Sequence, residues 1–408
     1  MLGYLIWNGN SEMFAFGPFF GIGPITLRWY GFLFASGFVF SYMILTRMFK
    51  KEGKPVTDVD TLTVYMVVAT VLGARLGHII FYQPEIIARD PLSVLLPFQF
   101  VPTFKFTGFQ GLASHGAAIG ILFAMWLYSN YLIIWSKEKG ENIKMEPNDG
   151  NLPVRDKIKK GFNIIKRVKP GQSYIQTLDR IVVLVTLCGA LIRLGNFFNS
   201  EIIGKPTDSA LGVVFAGSIA DLHTRNDNSI VDYVRMTKDP DRPEQPNGRK
   251  PVNLYLFFKD GVTREQADFY MVQQGKYYLT LDNEFIDEPA QKSLDYVVVE
   301  DKPGEVVGRI KTIAIARHPA QLYESISCFI FFSFLMFLWI RGKIESHPGL
   351  IFGIFMVVLW SLRFSYEFLK EPQVDFESSM TLNMGQILSI PMVIVGVFIL
   401  IRALQKKI

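Results

Sequence analysis

IVVLVTLCGALIRLGNFFNSEIIG, residues 181–204, changes character half-way along. Twelve uncharged, mostly apolar residues are followed by Arg193, Asn196, Asn199 and Glu201, and a long polar region begins just beyond. The first half has the character of a bilayer-crossing helix, which needs about 20 predominantly apolar residues. The second half places an arginine and a glutamate at that helix's end. Ionisable groups in such positions cost roughly 2.5–3.5 kcal/mol each on insertion scales and mark a function by default.

The rest of the chain supports the membrane reading. It has 408 residues, half of them hydrophobic, with only 19% charged and 35 phenylalanines; mean hydropathy is +0.24. That composition belongs to a polytopic membrane protein and excludes a nucleic-acid-binding role built on a basic soluble domain. The two cysteines, Cys188 and Cys328, both lie in apolar runs, so neither a disulfide framework nor a Cys-x-x-Cys metal site is expected. No metal and no cofactor is expected. The start of the chain lacks a basic n-region, so the first span is read as its own insertion signal. Seven segments suit crossing, near 29–49, 61–82, 112–135, 176–198, 319–340, 348–368 and 381–403. Residues 12–26 are apolar but broken by Pro18 and Pro24, and read as an interfacial or re-entrant piece.

Basic loops set the orientation. Arg47, Lys50, Lys51 and Lys54 follow the first span; the loop 137–171 carries ten Lys/Arg against five Asp/Glu; Arg341 and Lys343 follow the fifth span; Arg402, Lys406 and Lys407 end the chain. Every second loop is basic, which places the N-terminus outside and the C-terminus in the cytoplasm. The region 205–316, with fourteen Lys/Arg against eighteen Asp/Glu, then lies outside. Within it VNLYLFF, KYYLTL, DYVVVE and IKTIAIA read as strands. TREQADFYMVQQG opens on a Thr-x-x-Gln capping box and reads as a helix. The expected fold is an all-α polytopic membrane protein with seven transmembrane helices and a small α+β extracytoplasmic insert. Its parts are 1–204 with four spans, the insert 205–316, and 317–408 with three.

The polar groups inside the spans converge. Arg75, His115, Arg193, Glu201, Glu324, Arg363 and Glu367 all fall toward the outer side under this topology. Bland readings exist for several: Glu324 and Glu367 at the interface, Arg75 as an ion-pair partner of Glu85, His115 as a packing residue among small neighbours. Arg193 with Asn196, Asn199 and Glu201 is harder to explain that way. Arginines at that depth suit a phosphate, through a planar, permanently charged fork, and an amphiphile with a phosphate there is a phospholipid. The small residues 111–120 are read as leaving room for acyl chains. His115 has the side chain suited to proton transfer near neutrality.

The stretch RLGNFFNSEIIG (193–204) resembles the signature of the bacterial prolipoprotein diacylglyceryl transferases. So do LRWYGF (27–32), GARLGHIIFY (73–82), SHGAAIG (114–120), RHPAQLYE (317–324), RFSYEFLKEPQ (363–373) and NMGQILSIPM (383–392), in the family's order. The resemblance implies transfer of the diacylglyceryl group of phosphatidylglycerol to the lipobox cysteine in a preprolipoprotein signal peptide, within the bilayer of the bacterial cytoplasmic (inner) membrane. It implies that Arg193 holds the phosphate and that Tyr30, His115 and Arg363 are essential. Asn196, Asn199, Glu201 and Gly204 shape the head-group pocket, and the matched motifs bring Arg75, Arg317, His318, Gln321, Glu324 and Glu367 into the binding set. His115 is the candidate base, with Glu201 as rival. Ile192 departs from the family's glycine and Lys370 from its common arginine. Two other classes compete: a flippase for an anionic lipid, and a receptor whose spans only anchor the insert. The first lacks internal repeats; the second leaves His115, Arg193 and Arg363 without a role.

Overall fold

The computed structural model describes residues 3–17, 25–94, 96, 98–100, 105–106, 113–139, 159–224, 229–302, 304–371 and 380–405. Strands β1 (Leu5–Trp7), β2 (Glu12–Phe16) and β3 (Ile25–Arg28) precede helix α1 (Trp29–Lys51). Helices α2 (Thr57–Tyr82) and α3 (Ile86–Arg89) and strands β4 (Phe98–Gln99) and β5 (Lys105–Phe106) lead to α4 (Ser114–Asn130). Strands β6 (Tyr131–Ser136) and β7 (Gly161–Lys166) come before α5 (Tyr174–Phe198). The polar region holds β8 (Val213–Phe215), α6 (Gly217–Thr224), β9 (Val231–Lys238), β10 (Arg249–Phe258), α7 (Arg264–Tyr270), α8 (Lys276–Leu281), β11 (Tyr296–Lys302) and β12 (Glu305–Ile315). Helices α9 (Ala320–Ile340), α10 (Lys343–Ser346), α11 (Leu350–Tyr366) and α12 (Met384–Gln405) follow.

Among the described residues six helices are long and apolar enough to cross a membrane: α1, α2, α5, α9, α11 and α12. The protein is a multi-pass membrane protein. The remaining expected span divides: α4 has 17 residues and the chain then turns into β6. Tyr131, Ile133 and Trp135 favour a strand, and residues 161–166 of the basic loop supply a partner strand, in register from Tyr131↔Lys166 to Ser136↔Gly161. The apolar piece at 12–26 forms the pair β2–β3, with Glu12 opposite Arg28, and its two prolines fall outside the described residues.

The chain forms two compact units. One comprises 1–35, 189–329 and 359–391; the other comprises 36–188, 330–358 and 392–408. In the second unit α2 and α4 meet backbone to backbone. A Cβ on Gly77 would lie 2.6 Å from Gly116 Cα, one on Gly120 2.6 Å from Ala69 O, and one on Gly116 would overlap Gly73 O. Of the small residues on this segment, Gly116 and Gly120 therefore serve this contact. Gly116 and Gly120 do not leave room for acyl chains as the sequence reading expects, because the backbone of α2 fills that space. The helix ends of the unit are tied by buried polar groups. Lys169 pairs with Asp58; Gln172 Nε2 donates to Asp58 Oδ2 at 2.7 Å and Tyr128 Oη to Gln172 Oε1 at 2.6 Å. Asp179 accepts from the Gly349 and Phe352 amides at 2.6 and 2.7 Å, capping the start of α11.

In the first unit β11-β12-β10-β9 form an antiparallel sheet. Alternate residues of β10 (Val252, Leu254, Leu256, Phe258) are buried, as its period of two requires. Ala267, Tyr270, Met271 and Leu279 from the helical segment pack over them. The capping box forms as read: Thr263 Oγ1 accepts from the Gln266 amide, and the Gln266 side chain accepts from the Thr263 amide. KYYLTL is helix α8 and not a strand, since it continues the turn of 271–275 and buries Leu279 on one side only. His223 sits buried beside Tyr270 Oη at 2.9 Å, and burial pushes its imidazole down to about 4. The N-terminal residues belong here too: β1 pairs in parallel with β8, and Tyr4 Oη donates to Pro251 O at 2.9 Å.

Gly116→Val places a branched side chain against the α2 backbone, and overpacking of this kind costs about 1–3 kcal/mol. Its thermal unfolding midpoint in detergent should fall by several degrees. Ala118→Val, on the exposed side of α4, should leave the midpoint unchanged; equal behaviour of the two variants contradicts the packing role.

Candidate functional site

Helix α5 ends in a turn that folds back on its own side chains. The Glu201 amide donates to Asn196 O at 3.0 Å, with Ser200 and Ile202 on either side at φ 55° and 56°. A left-handed conformation costs a non-glycine residue roughly 1–2 kcal/mol, and it is unusual for a β-branched one. Phe197 and Ile203 hold the turn from both sides, buried with Val213, Phe215 and Phe285. Burying each such side chain stabilises by roughly 1.5–3 kcal/mol, enough to outweigh the strain. The outcome is a fixed carboxylate. Asn196 Nδ2 and Asn199 Nδ2 each donate to a different oxygen of Glu201 at 3.3 Å, and Gln321 Nε2 donates to the Glu201 carbonyl at 2.5 Å. The two asparagine Oδ1 atoms stay buried with no partner among the described residues.

Beside this turn runs a chain of alternating charge. Arg193 Nε meets Glu324 Oε2 at 2.6 Å, Glu324 Oε1 meets Lys370 Nζ at 2.5 Å, and Lys370 Nζ lies 3.4 Å from Glu367 Oε1. Arg363 closes it at 4.0 Å from the same Glu367 oxygen. Exposure grades outward: the Lys370 side chain is 3% exposed, Arg193 20% and Arg363 32%. The two arginines are thus the accessible ends, and three cations face two carboxylates. An incoming anion would balance that chain.

Supporting groups set the chain's shape. Asn383 Nδ2 donates to Glu367 Oε2 at 3.0 Å while Asn383 and Gln386 cap α12 through each other's amides. A Cβ at Gly385 would lie 2.7 Å from Glu367 Cδ, so NMGQ makes room for the carboxylate and holds it. Gly204 acts similarly on the backbone. Its amide donates to His318 O at 3.0 Å, it bridges Lys370, and a Cβ there would lie 2.5 Å from His318 O. Arg317 is buried and fully engaged: Nε and Nη2 donate to Glu284 O at 2.9 and 2.7 Å, and Nη1 reaches Gly204 O at 3.1 Å and Glu371 at 2.7 Å. His318 Nδ1 faces Tyr323 Oη at 3.3 Å, and burial pushes its imidazole down. Tyr30 packs on Gly195, where a Cβ would lie 3.0 Å from the tyrosine ring.

One unit therefore gathers Tyr30, Arg193, Asn196, Asn199, Glu201, Gly204, Arg317, His318, Gln321, Glu324, Arg363 and Glu367. Arg75 and His115 belong to the other. Arg75 is buried, with Nη2 donating to Ser93 O at 2.9 Å, and His115 is exposed in the first turn of α4. A cleft of about 1090 Å³ opens next to the Glu201 turn, lined among others by Asn199, Glu201, Asp221, Asp232, Glu284 and Glu371. Its carboxylates make it a poor seat for a phosphate, so the arginine chain and the cleft are chemically distinct.

The alternating cations, glycine contacts and capped NMGQ turn lie on the motifs that a family model also matches. The model described as prolipoprotein diacylglyceryl transferase aligns with residues 18–137 and 161–402. The chain belongs to that family. Relatives run the full length. The phosphatidylglycerol–prolipoprotein diacylglyceryl transferase of Bacteroides fragilis is 28% identical over 403 residues, covering 98% of this chain and 96% of its own. The enzyme of that name from Chloroherpeton thalassium is also 28% identical, over 99% and 96%. That from Tolumonas auensis is 26% identical over 99% of both chains.

In the sequence Lys370 stands out only as a departure from the family. Lys370 stands three residues after Glu367, which was the available signal; its link to Glu324 joins residues 46 positions apart and has no local signature. Removing one partner of a buried ion pair typically costs 3–5 kcal/mol. Glu324→Gln and Lys370→Met should each lower unfolding stability by about 3 kcal/mol, and Lys370→Arg should retain most of it. Wild-type unfolding midpoints for Glu324→Gln would contradict a shared counter-charge.

Proposed function

We propose that this chain transfers the diacylglyceryl group of phosphatidylglycerol to the lipobox cysteine of a prolipoprotein. The observation that carries the reading is the chain Arg193–Glu324–Lys370–Glu367–Arg363, with accessible arginines at both ends, in a member of this family. The thiol sulfur attacks the glyceryl carbon bonded to the phosphate oxygen. The new C–S bond is a thioether; the C–O bond breaks and its electrons pass to the phosphate of the departing glycerol 1-phosphate. Charge grows on that phosphate, and guanidiniums already held by carboxylates stabilise it without reorganising. Arg193 is assigned to the phosphate because its Nε is held by Glu324 and its terminal amines have no other partner among the described residues. The partnerless Oδ1 atoms of Asn196 and Asn199 suit head-group hydroxyls.

The thiol must lose its proton, since the thiolate is the nucleophile. His115 takes it in this scheme. Glu201 is the alternative, and its two asparagine bonds favour a fixed orienting charge. The seventh crossing is α4 together with the start of β6, in a cytoplasmic (inner) membrane, with the N-terminus outside. The region 205–316 then forms an outer head, and the acidic cleft beside Glu201 suits the polar part of the peptide substrate, guided by shape and by hydrogen bonds from its amides.

The purified protein, given phosphatidylglycerol and a lipobox peptide, should release glycerol phosphate and add the diacylglyceryl mass to the peptide. A charge-assisted contact is worth roughly 1.5–3 kcal/mol, so Arg193→Ala should lose at least about tenfold in rate. Arg193→Lys keeps the charge without the fork and should stay strongly impaired. Near-normal turnover by Arg193→Ala removes the phosphate assignment. In the pH–rate profile, the variant that loses the acidic limb, His115→Gln or Glu201→Gln, identifies the base. In intact cells an impermeant thiol reagent should reach Asp260→Cys and spare Lys139→Cys; the reverse labelling overturns the orientation.

A further inference from the structure

The pair β6–β7 presents a side that nothing in the reaction uses. Trp135 is 76% exposed, Phe162 61%, Ile164 57% and Val168 73%. Register places Trp135 opposite Phe162, Ile133 opposite Ile164 and Tyr131 opposite Lys166, so these side chains share one face. Lys159, Lys160 and Lys166 are exposed beside it, and no ion pair among the described residues engages them. The hairpin is rigidly rooted. The Arg167 amide donates to Asn130 O at 2.8 Å, and Lys169 and Gln172 just beyond are bound to Asp58. The family model matches the chain up to residue 137 and again from 161, so both strands lie within or at the edge of the match.

Two physical arguments identify what covers the face. Helix α4 has 17 residues; at 1.5 Å per residue it spans about 25 Å, short of a hydrocarbon core about 30 Å thick. Its outward side is apolar, and Phe123, Trp126 and Tyr131 form a continuous aromatic row running into the hairpin, with ring centroids 5.8 and 5.2 Å apart. The exposed face therefore continues the surface that α4 offers to lipid. A two-stranded hairpin also has unpaired outer edges, which cannot enter the hydrocarbon but are satisfied at the level of the head groups. Indole and lysine are the side chains favoured at that level, and lysines there are attracted to anionic lipid.

We propose that the β6–β7 hairpin seats its Trp135–Phe162–Ile164 face in the head-group layer of an anionic leaflet, completing the crossing that α4 leaves short. This reading is independent of the transferase chemistry. It is tested on the full-length protein with Cys188 and Cys328 replaced by alanine and an environment-sensitive fluorophore on Ile164→Cys or, as a second position, Phe162→Cys. The protein is reconstituted in phosphatidylcholine vesicles with increasing phosphatidylserine, so that negative charge varies without the proposed lipid substrate. Both probes should be quenched by lipid spin-labelled near the head group and be shielded from aqueous iodide. With Lys159, Lys160 and Lys166 changed to glutamate, iodide access should rise at least about threefold in the anionic vesicles, since each lysine near such a surface is worth about 1 kcal/mol. Full iodide access in the parent protein overturns the proposal. So does shielding that tracks the protein-to-lipid ratio and ignores spin-labelled lipid, because a second copy of the chain would then be the cover.

Discussion

Glu324 is the group on which the arginine site depends. One oxygen holds Arg193 and the other holds Lys370, in a place where a lone cation would be too costly to keep. Sharing a carboxylate between two cations lets three positive side chains approach one another with only two negative ones between them. Within the row one positive charge is left over, and the proposed function uses it to hold the phosphate. A fully neutralised row would be stable and inert; an unpaired one would not stay buried.

The backbone around that row is shaped to the same end. Gly204 admits three strands of chain at contact distance, and this brings Lys370 beside the residues that lead into α9. Gly385 clears the position of Glu367, and Asn383 fixes it. The strained turn at Ser200 and Ile202 holds Glu201 where two asparagines grip it. Strain of this kind persists only where the surroundings over-determine it, and here an aromatic and aliphatic cluster does so.

Glycines in the other unit have a different purpose. GARLGHIIFY and SHGAAIG lie within the family match, and their glycines let α2 and α4 touch along their backbones. A motif in a membrane helix therefore holds two kinds of residue. Gly73, Gly77, Gly116 and Gly120 are its packing; Arg75, buried against Ser93 O, and His115, exposed in the first turn of α4, are its polar members.

Sequence alone determined the membrane class, six of the crossings, the capping box at Thr263 and most strands of the polar region, because hydropathy and local periodicity are properties of neighbouring residues. It also singled out Arg193, Glu201, Glu324, Arg363 and Glu367, since charge in an apolar run is visible without a fold. Only the tertiary structure decided their pairing. Lys370 became the middle of the ion chain, Arg317 became a fully engaged buried group, and Asn196 and Asn199 turned toward Glu201. Each of those outcomes joins segments distant in sequence or depends on which way a turn closes. KYYLTL and Tyr131–Ser136 show the same limit in secondary structure. Short apolar runs fit helix or strand equally well, and the choice falls to whichever neighbour the fold supplies.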